Sequence, residues 1–369
     1  MKTARRFITN TLVLLSILVT AQTSFGKEVY KVGAILPLTG SGALWGNNTR
    51  KGAELAVEEL NKSTNNNKSI ILISEDSKGI GKEGVAAANK LISIDKINAV
   101  LDDAVSSVAL AVVPIITEYR LPTISTGSTN PKLSGASPYF FRLWNSDLEE
   151  AVISAKFIAS DLKFNKGVIL YIRNEYGDGL QGSFEKEFAK YNGKVVGKES
   201  FEAGAANYRD QLLKLKALKP QFVYLVGYPV EIPRVLVEMK KLKFNAKIVT
   251  TAAIEDKSVL EQAKVASEGV IYPFAKPAKS IMTENFKQEY KRKFGEDPGS
   301  PAAEAYDAIM IFAKAFGKVG ADGTKVKDYI ANIKHEGVSG LIILDKNGDV
   351  HKPMEMKIIR KGKFEVLKK

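Results

Sequence analysis

The sequence predicts an α/β protein made of two doubly wound lobes with parallel sheets. Short β-type runs alternate with segments of helical period along almost the whole chain, which is typical of parallel sheets with helices on both faces. Even without its first 26 residues, the 369-residue chain exceeds the ~100 to 200 residues of one domain. No low-complexity linker separates two halves, so we expect several strands to cross between the lobes.

The individual elements follow from period-2 and period-3.6 patterns of apolar residues. Strands are predicted at 30–36, 70–75, 99–101, 123–125, 167–171, 195–201, 222–226, 247–250 and 269–272. Helices are predicted at 84–94, 148–162, 180–191, 208–218, 230–241, 285–294, 302–319 and 326–333, followed by a β-rich ending.

The first 26 residues have the pattern of a secretory signal peptide. Lys2, Arg5 and Arg6 form a basic start, residues 11–21 form an apolar core, and Ser24 and Gly26 are small residues before the expected cleavage site. The apolar core is shorter than the ~20 residues of a membrane span, which disfavours the alternative of a retained anchor. We therefore expect an exported, periplasmic protein cleaved near Gly26.

Composition limits the possible partners. The chain has no cysteine, which excludes disulfides, thiolate catalysis and iron–sulfur clusters. The net charge is +13, and the lysines are spread over most predicted helices, as on a solvated basic surface. Nucleic acid is not an expected partner outside the cytoplasm; an anionic ligand or a membrane surface remains possible.

Catalytic, cofactor and metal motifs are missing from the sequence. The two histidines, His335 and His351, lack partner motifs, and no zinc-protease, nucleophile-elbow or penicillin-binding motif occurs. Asp102 and Asp103 are adjacent in a predicted strand and point to opposite faces. The run Asp345 to Asp349 is better explained by a turn on Asn347 and Gly348 than by a calcium loop. We expect no enzyme activity, no cofactor and no metal.

A glycine-rich loop follows the first predicted strand, with Gly40, Gly42 and Gly46 before a helix. This spacing is one residue off the dinucleotide-binding fingerprint, and the loop is longer than a Rossmann turn. A phosphate site is therefore disfavoured. Trp45 stands just before the helix, where its side chain can overhang a cleft.

Several segments resemble a known family in order and spacing. They are "KVGAILPLTGSGALWGNNTRKGAELAVEELN", "SSVALAVVPIITEYRLPTISTGSTNP", "YFFRLW", "ILYIRNEYGDGLQGSFEKEF", "FVYLVGYPVEIPRVLVEMKKL" and "EGVIYPFAKP". The chain is similar to the branched-chain amino acid (Leu/Ile/Val-type) solute-binding proteins of ABC transporters. The resemblance covers essentially the whole chain after residue 26.

The resemblance implies a type I periplasmic binding protein fold, with two lobes, three crossover strands and hinge closure around a small molecule. Lobe 1 would comprise residues 27–145 and 274–348, and lobe 2 residues 146–273 and 349–369. The implied function is to bind an amino acid or related small carboxylate in the cleft and deliver it, as a monomer, to a membrane permease. A sensor that acts on a receptor, or a binder of an aromatic acid or amide, is the alternative.

The resemblance also implies roles for individual residues. The backbone of Gly127, with Ser128 and the hydroxyl of Thr129, would hold the ligand's α-carboxylate and ammonium, and Ser106 would bind the carboxylate beside a helix N-terminus. Ser106 capping its helix and Thr129 stabilising its turn are the alternatives. The aromatic residues expected to pack on the ligand are Trp45, Tyr176 and Tyr228, although the two tyrosines could be purely structural.

One position departs from the family. Amino acid binders have an acidic residue for the ligand ammonium soon after the strand at 247–250, and here Ala252 stands nearest to that position. An unpaired buried ammonium is costly. Glu255, Asp102 or Asp103 would take over the role, with the last two preferred, or the ligand has no ammonium.

Overall fold

The computed structural model describes residues 28–62, 68–102 and 104–368. The predicted signal peptide and Asp103 lie outside the described residues. The strands are β1 Glu28–Leu36, β2 Lys68–Asp76, β3 Ala99–Asp102, β4 Thr123–Ser125, β5 Phe140–Arg142, β6 Lys166–Ile172, β7 Lys194–Phe201, β8 Phe222–Val226, β9 Lys247–Thr250, β10 Ile271–Ala275, β11 Lys334–Gly337, β12 Gly340–Ile343, β13 Met354–Arg360 and β14 Lys363–Val366. The helices are α1 Ala43–Lys62, α2 Gly81–Lys90, α3 Ser106–Glu118, α4 Asp147–Lys156, α5 Glu175–Ala189, α6 Arg209–Ala217, α7 Glu231–Lys241, α8 Lys257–Ala263, α9 Ile281–Phe294, α10 Ser300–Val319 and α11 Gly323–Ala331.

The first sheet has the order β2-β1-β3-β4-β5, and all its strand pairs are parallel. Strand β1, which lies between β2 and β3, is buried from Val32 to Leu36, as expected for a strand covered by helices on both faces. Helices α1 and α10 pack closely on one face, where a Cβ on Gly52 would lie 2.0 Å from the carbonyl oxygen of Ala302. Glycine at this position lets the two helix backbones approach each other.

The second sheet has the order β14-β13-β10-β9-β8-β6-β7. Strands β6 to β10 pair in parallel, whereas β13 pairs antiparallel with β10 and β14. Strand β8 is fully buried, and its core includes the stacked rings of Phe184 and Tyr224 at 4.0 Å. The strands β11 and β12 form a separate hairpin.

The chain passes between the two sheets three times: after β5, after β10, and before β13. Val350 still packs in the core of the first sheet, and Ile359 packs in that of the second. The predicted two-lobe α/β architecture is therefore confirmed. The lobe limits at 145/146, 273/274 and 348/349 stay a prediction.

The predicted elements are confirmed with small shifts at their ends. The helix predicted at 180–191 begins five residues earlier, at Glu175. The strand predicted at 269–272 begins at Ile271, after Gly269 with a φ of +79°. Helices predicted at 84–94 and 148–162 end in π-turns at Leu91–Asp95 and Phe157–Asp161. Among the described residues, none of the helices combines the length and apolar character of a membrane span.

Candidate ligand-binding site

A pocket lies between the two lobes, where loops follow the carboxyl ends of strands from both sheets, as expected for facing α/β sheets. It encloses about 660 Å³ of empty space, including solvent at its open mouth. The first sheet's lobe contributes Trp45, Asn48, Ala104, Thr126, Gly127, Thr129, Ser300 and Pro301; the other side is formed by Trp144, Asp147, Glu150, Tyr176, Ala252, Ala253, Glu255 and Asp256.

The loop after β4 forms one wall. The Thr126 N–H donates to the carbonyl oxygen of Asp102 at 3.0 Å, and the Ser128 N–H donates to Ser125 Oγ at 3.0 Å. A Cβ on Gly127 would lie 2.9 Å from that of Ala104, so glycine permits this close approach. The fixed loop presents Thr126, Gly127 and Thr129 to the pocket.

Ser106, Ser128 and Asp102 support this loop from outside the pocket lining. Ser106 Oγ accepts a hydrogen bond from the Asn130 N–H at 3.1 Å, and Ser128 Oγ donates to Asp102 Oδ2 at 3.1 Å. All three residues are buried, and none of them lines the pocket. The structure therefore brings Gly127 and Thr129 together at the pocket and puts the other three behind the wall. A direct contact of Ser106 with ligand stays a prediction.

A buried guanidinium fixes the same loop to the third crossover. Arg142 is 0% exposed, and its Nη1 donates to the carbonyl oxygens of Ser128 and Asn130 at 3.3 and 3.1 Å. Its Nε and Nη2 donate to the two carboxylate oxygens of Asp349 at 2.6 and 3.0 Å. In this bidentate ion pair, the charges of Arg142 and Asp349 neutralise each other in the protein interior. Asp349 closes the predicted turn, in which Gly348 has a φ of +84°.

The predicted aromatic residues meet across the cleft. Trp45 lies in the first turn of α1 and not before the helix as predicted, and its ring packs edge-on against Tyr228 of the other lobe, with centroids 5.0 Å apart. Tyr228 stacks on Tyr176 at 5.6 Å and accepts a hydrogen bond from Asn174 Nδ2 at 2.9 Å. Trp45 and Tyr176 line the pocket, whereas Tyr228 packs against both rings from outside the lining. The contact between Trp45 and Tyr228 joins the two lobes.

Two acidic residues on α4 line the pocket next to this loop, since the Asp147 N–H donates to the carbonyl oxygen of Thr129 at 2.8 Å, and neither was among the predicted site residues. Asp147 and Glu150 are 1% and 5% exposed and line the pocket. Ser146 caps α4, and acidic residues in a first turn complement the helix dipole, which is how the sequence alone explains them. Their i, i+3 spacing puts them on one helix face, the only signal in the sequence that they act together.

Burial raises the pKa of both carboxyl groups. The pKa of Asp147 rises to about 7 because of desolvation, opposed by the nearby Thr129 hydroxyl and the Arg142 guanidinium. Neither of its oxygens accepts a hydrogen bond of normal geometry. Desolvation and the neighbouring Asp147 raise the pKa of Glu150 well above its usual value, although Glu150 Oε1 accepts from the Ala252 N–H at 3.2 Å. Both carboxyl groups thus have fewer hydrogen bonds than burial of a charged group requires.

Ala252 and Glu255 lie where the sequence led us to expect an ammonium partner. Ala252 contributes its N–H to Glu150. Glu255 lines the pocket, but it accepts a hydrogen bond from the Tyr272 hydroxyl at 2.7 Å and forms an ion pair with Lys357. The charge of Glu255 is thus balanced inside the protein. The expected pairing of Glu255, Asp102 or Asp103 with a ligand ammonium stays a prediction, and Asp147 and Glu150 are two further acidic residues in the pocket lining.

The sequence profile of a family described as periplasmic binding protein matches residues 29–363. The chain belongs to this family. A leucine-, isoleucine-, valine-, threonine- and alanine-binding protein of Pseudomonas aeruginosa is 26% identical over 339 residues, covering 89% of each chain. A leucine-specific-binding protein of Salmonella typhimurium is 25% identical over 331 residues, covering 87% of this chain and 88% of its own.

Solved structures of periplasmic binding proteins share the fold. A leucine-binding protein from Thermotoga maritima superposes with a TM-score of 0.84 at 25% identity, covering 92% of this chain and 98% of its own. A solute-binding protein of an ABC transporter from R. palustris, in complex with benzoate, has a TM-score of 0.84 at 19% identity and covers 92% and 95%. The type I fold implied by the resemblance is confirmed.

Proposed function

We propose that this protein is the solute-binding component of an ABC transporter and binds an amino acid or related small carboxylate between its lobes. One observation carries the proposal: the hydroxyl-bearing loop after β4 and two buried carboxyl groups of α4 without an ion-pair partner line the same small pocket. A ligand with both an ammonium and a carboxylate group matches these two parts of the lining.

The ammonium belongs at the wall formed by α4. It would supply hydrogen-bond donors to Asp147, whose oxygens have none of normal geometry, and positive charge to Glu150. Charge-assisted hydrogen bonds of this type are the strong ones, and water exclusion increases their contribution. The wall that α4 provides replaces the acidic side chain that the family resemblance led us to expect at Ala252.

The carboxylate belongs at the loop after β4. Ala104, next to the N-terminal end of α3, and the Thr129 hydroxyl line this side, and a helix N-terminus favours an anion. Ser106 and Ser128 act by holding the loop in place. Such a site needs no cationic side chain.

Binding of this kind couples to closure. Trp45 from one lobe and Tyr176 from the other both line the pocket, so a ligand contacts both lobes and stabilises their closed arrangement. The closed protein, exported to the periplasm through its leader, delivers the solute to a membrane permease as a monomer and without chemical change. An aromatic acid such as benzoate, which one relative binds, lacks the cation that Asp147 and Glu150 require.

A thermal-shift screen tests the proposal, because a ligand that binds only the folded state raises Tm. We expect amino acids, and not benzoate or hydroxybenzoates, to raise Tm in a concentration-dependent manner. Parallel turnover assays with esters, amides and glycosides should show no product. A Tm increase with benzoates alone, or steady turnover, would contradict the proposal.

A further inference from the structure

The pocket wall has an excess of acidic over basic side chains. Four of its residues are acidic, namely Asp147, Glu150, Glu255 and Asp256, and among the described residues no lysine, arginine or histidine lines it. Lys357 balances Glu255 from outside the lining, and Asp256 Oδ1 accepts the Ser258 N–H at 2.8 Å near the mouth. The two buried carboxyl groups of α4 are left without such an ion pair.

The nearest guanidinium does not supply the missing charge. Arg142 attracts Asp147, but its Nε and Nη2 are bonded to both oxygens of Asp349, and its Nη1 is bonded to loop carbonyl groups. One guanidinium therefore faces the buried carboxylates of Asp349 and Asp147, with Glu150 one helical turn further away. Arg142 thus forms its ion pair with Asp349 and not with either acidic residue of α4.

A zwitterionic ligand with an uncharged side chain cannot correct this excess. Its single ammonium can pair with one carboxylate of α4, while its own carboxylate adds another negative charge at the loop after β4. The second acidic group must then stay protonated or bear the cost of an unpaired buried charge. A ligand with a second cationic group pairs with both acids.

We propose that the ligand is a basic amino acid, with a net positive charge and a second cationic group on its side chain. This inference rests on the proposed function and specifies the ligand class of the same site. Side chains three residues apart on a helix have Cβ atoms ~5–6 Å apart, a separation that two amino groups on a short aliphatic chain can span. Asp147, beside Thr129, takes one cation and Glu150 the other.

The aromatic lining favours the same ligand class. Trp45, Trp144 and Tyr176 can pack on the methylene groups of a lysine- or arginine-like side chain and attract its charge through their ring faces. The branched-chain side chains that the relatives bind can pack on such rings, but they have no charge for the ring faces to attract. The acidic residues of α4 add to this preference, because a neutral amino acid leaves one of them without a cationic partner.

Matched ligand pairs test the proposal by titration calorimetry on the dialysed protein. Lysine and norleucine differ mainly in the terminal amine, and arginine and citrulline differ mainly in charge. We expect each cationic member to bind at least about tenfold more tightly than its neutral partner. Equal or tighter binding of norleucine, citrulline or leucine overturns the ligand class and leaves an amino acid binder; binding of none of them contradicts the proposed function as well.

Substitutions on α4 and elsewhere identify the source of the preference. Glu150→Gln should reduce the lysine-to-norleucine affinity ratio toward one, whereas Glu150→Asp should retain most of it. Glu187→Gln is the matched control, since Glu187 is also a buried glutamate of the second lobe but pairs with Lys190 away from the pocket. An unchanged ratio in Glu150→Gln, or an equal loss in Glu187→Gln, overturns the assignment.

Discussion

The Ala252 N–H donates to Glu150 Oε1 at 3.2 Å, which joins the segment after β9 to a carboxylate from α4. Ala252 stands nearest to the position where the family resemblance implies an acidic side chain. A carboxylate is thus present on this side of the pocket, but it comes from another element of the fold. The two acids of α4 are the groups on which the ligand assignment depends.

The stability of the empty protein should fall as the pH rises through the titration of Asp147. Its folded pKa of about 7 lies above the usual 3.8, so its contribution is fully present below pH 3.8 and is lost as the pH rises to 7. Each pKa unit corresponds to about 1.4 kcal/mol. Urea denaturation at pH 5 and pH 8 should therefore show Asp147→Asn gaining stability relative to the wild type at the higher pH. A constant difference between the two proteins at both values would contradict this titration.

Breaking the pair of Arg142 and Asp349 should strongly destabilise the protein. Asp349→Asn leaves a buried guanidinium without its partner, with an expected loss of about 3–5 kcal/mol in the free energy of unfolding. The surface pair Lys198 and Glu185 provides the control, since Glu185→Gln should cost about 1 kcal/mol or less. Equal losses for the two variants in urea denaturation would show that the buried pair has no special role.

Substitution of Thr129, in the loop after β4, and of Ser106, at the start of α3, should have different consequences. Thr129→Ala removes a hydroxyl that lines the pocket, so we expect a weaker affinity with nearly unchanged Tm. Ser106→Ala leaves the buried Asn130 N–H without its acceptor, which should cost about 1–3 kcal/mol of stability and lower affinity indirectly. Calorimetry and thermal melts separate the two effects. A normal Tm in Ser106→Ala together with lost binding would instead indicate direct ligand contact.

Ligand binding should change the intrinsic fluorescence of the protein. The chain has two tryptophans, and both Trp45 and Trp144 line the pocket. In Trp144→Phe the remaining signal reports Trp45, whose ring packs on Tyr228 of the opposite lobe. We expect a saturable change in emission with the same affinity as in calorimetry. No change at saturating ligand would mean that the ligand binds elsewhere.

Apolar periodicity was sufficient to predict most of the fold, because each strand and helix buries residues at its own repeat. The boundary at Gly269 was missed because a positive φ does not appear in a hydrophobic pattern. Trp45, Gly127 and Thr129 were predicted for the site because loops after parallel strands converge at one edge, and the resemblance marked these residues.

The acidic wall could not be predicted in the same way. The run from Ser146 to Glu150 is fully explained by the start of a helix, with Ser146 as the N-cap and acidic residues in the first turn. Only the packing of α4 beside Tyr176 and Ala252 turns these side chains into a pocket wall. Asp102 illustrates the reverse: its burial could be predicted from its strand, but its hydrogen bond from Ser128 depends on the loop geometry.

The most direct test compares an amino acid that binds with its 2-hydroxy analogue by titration calorimetry, in the wild type and in Asp147→Asn. We expect the wild type to bind the amino acid at least about tenfold more tightly, and this preference to shrink in the variant. Equal affinities for the two compounds in the wild type would contradict the claim that the acids of α4 hold the ligand's ammonium group.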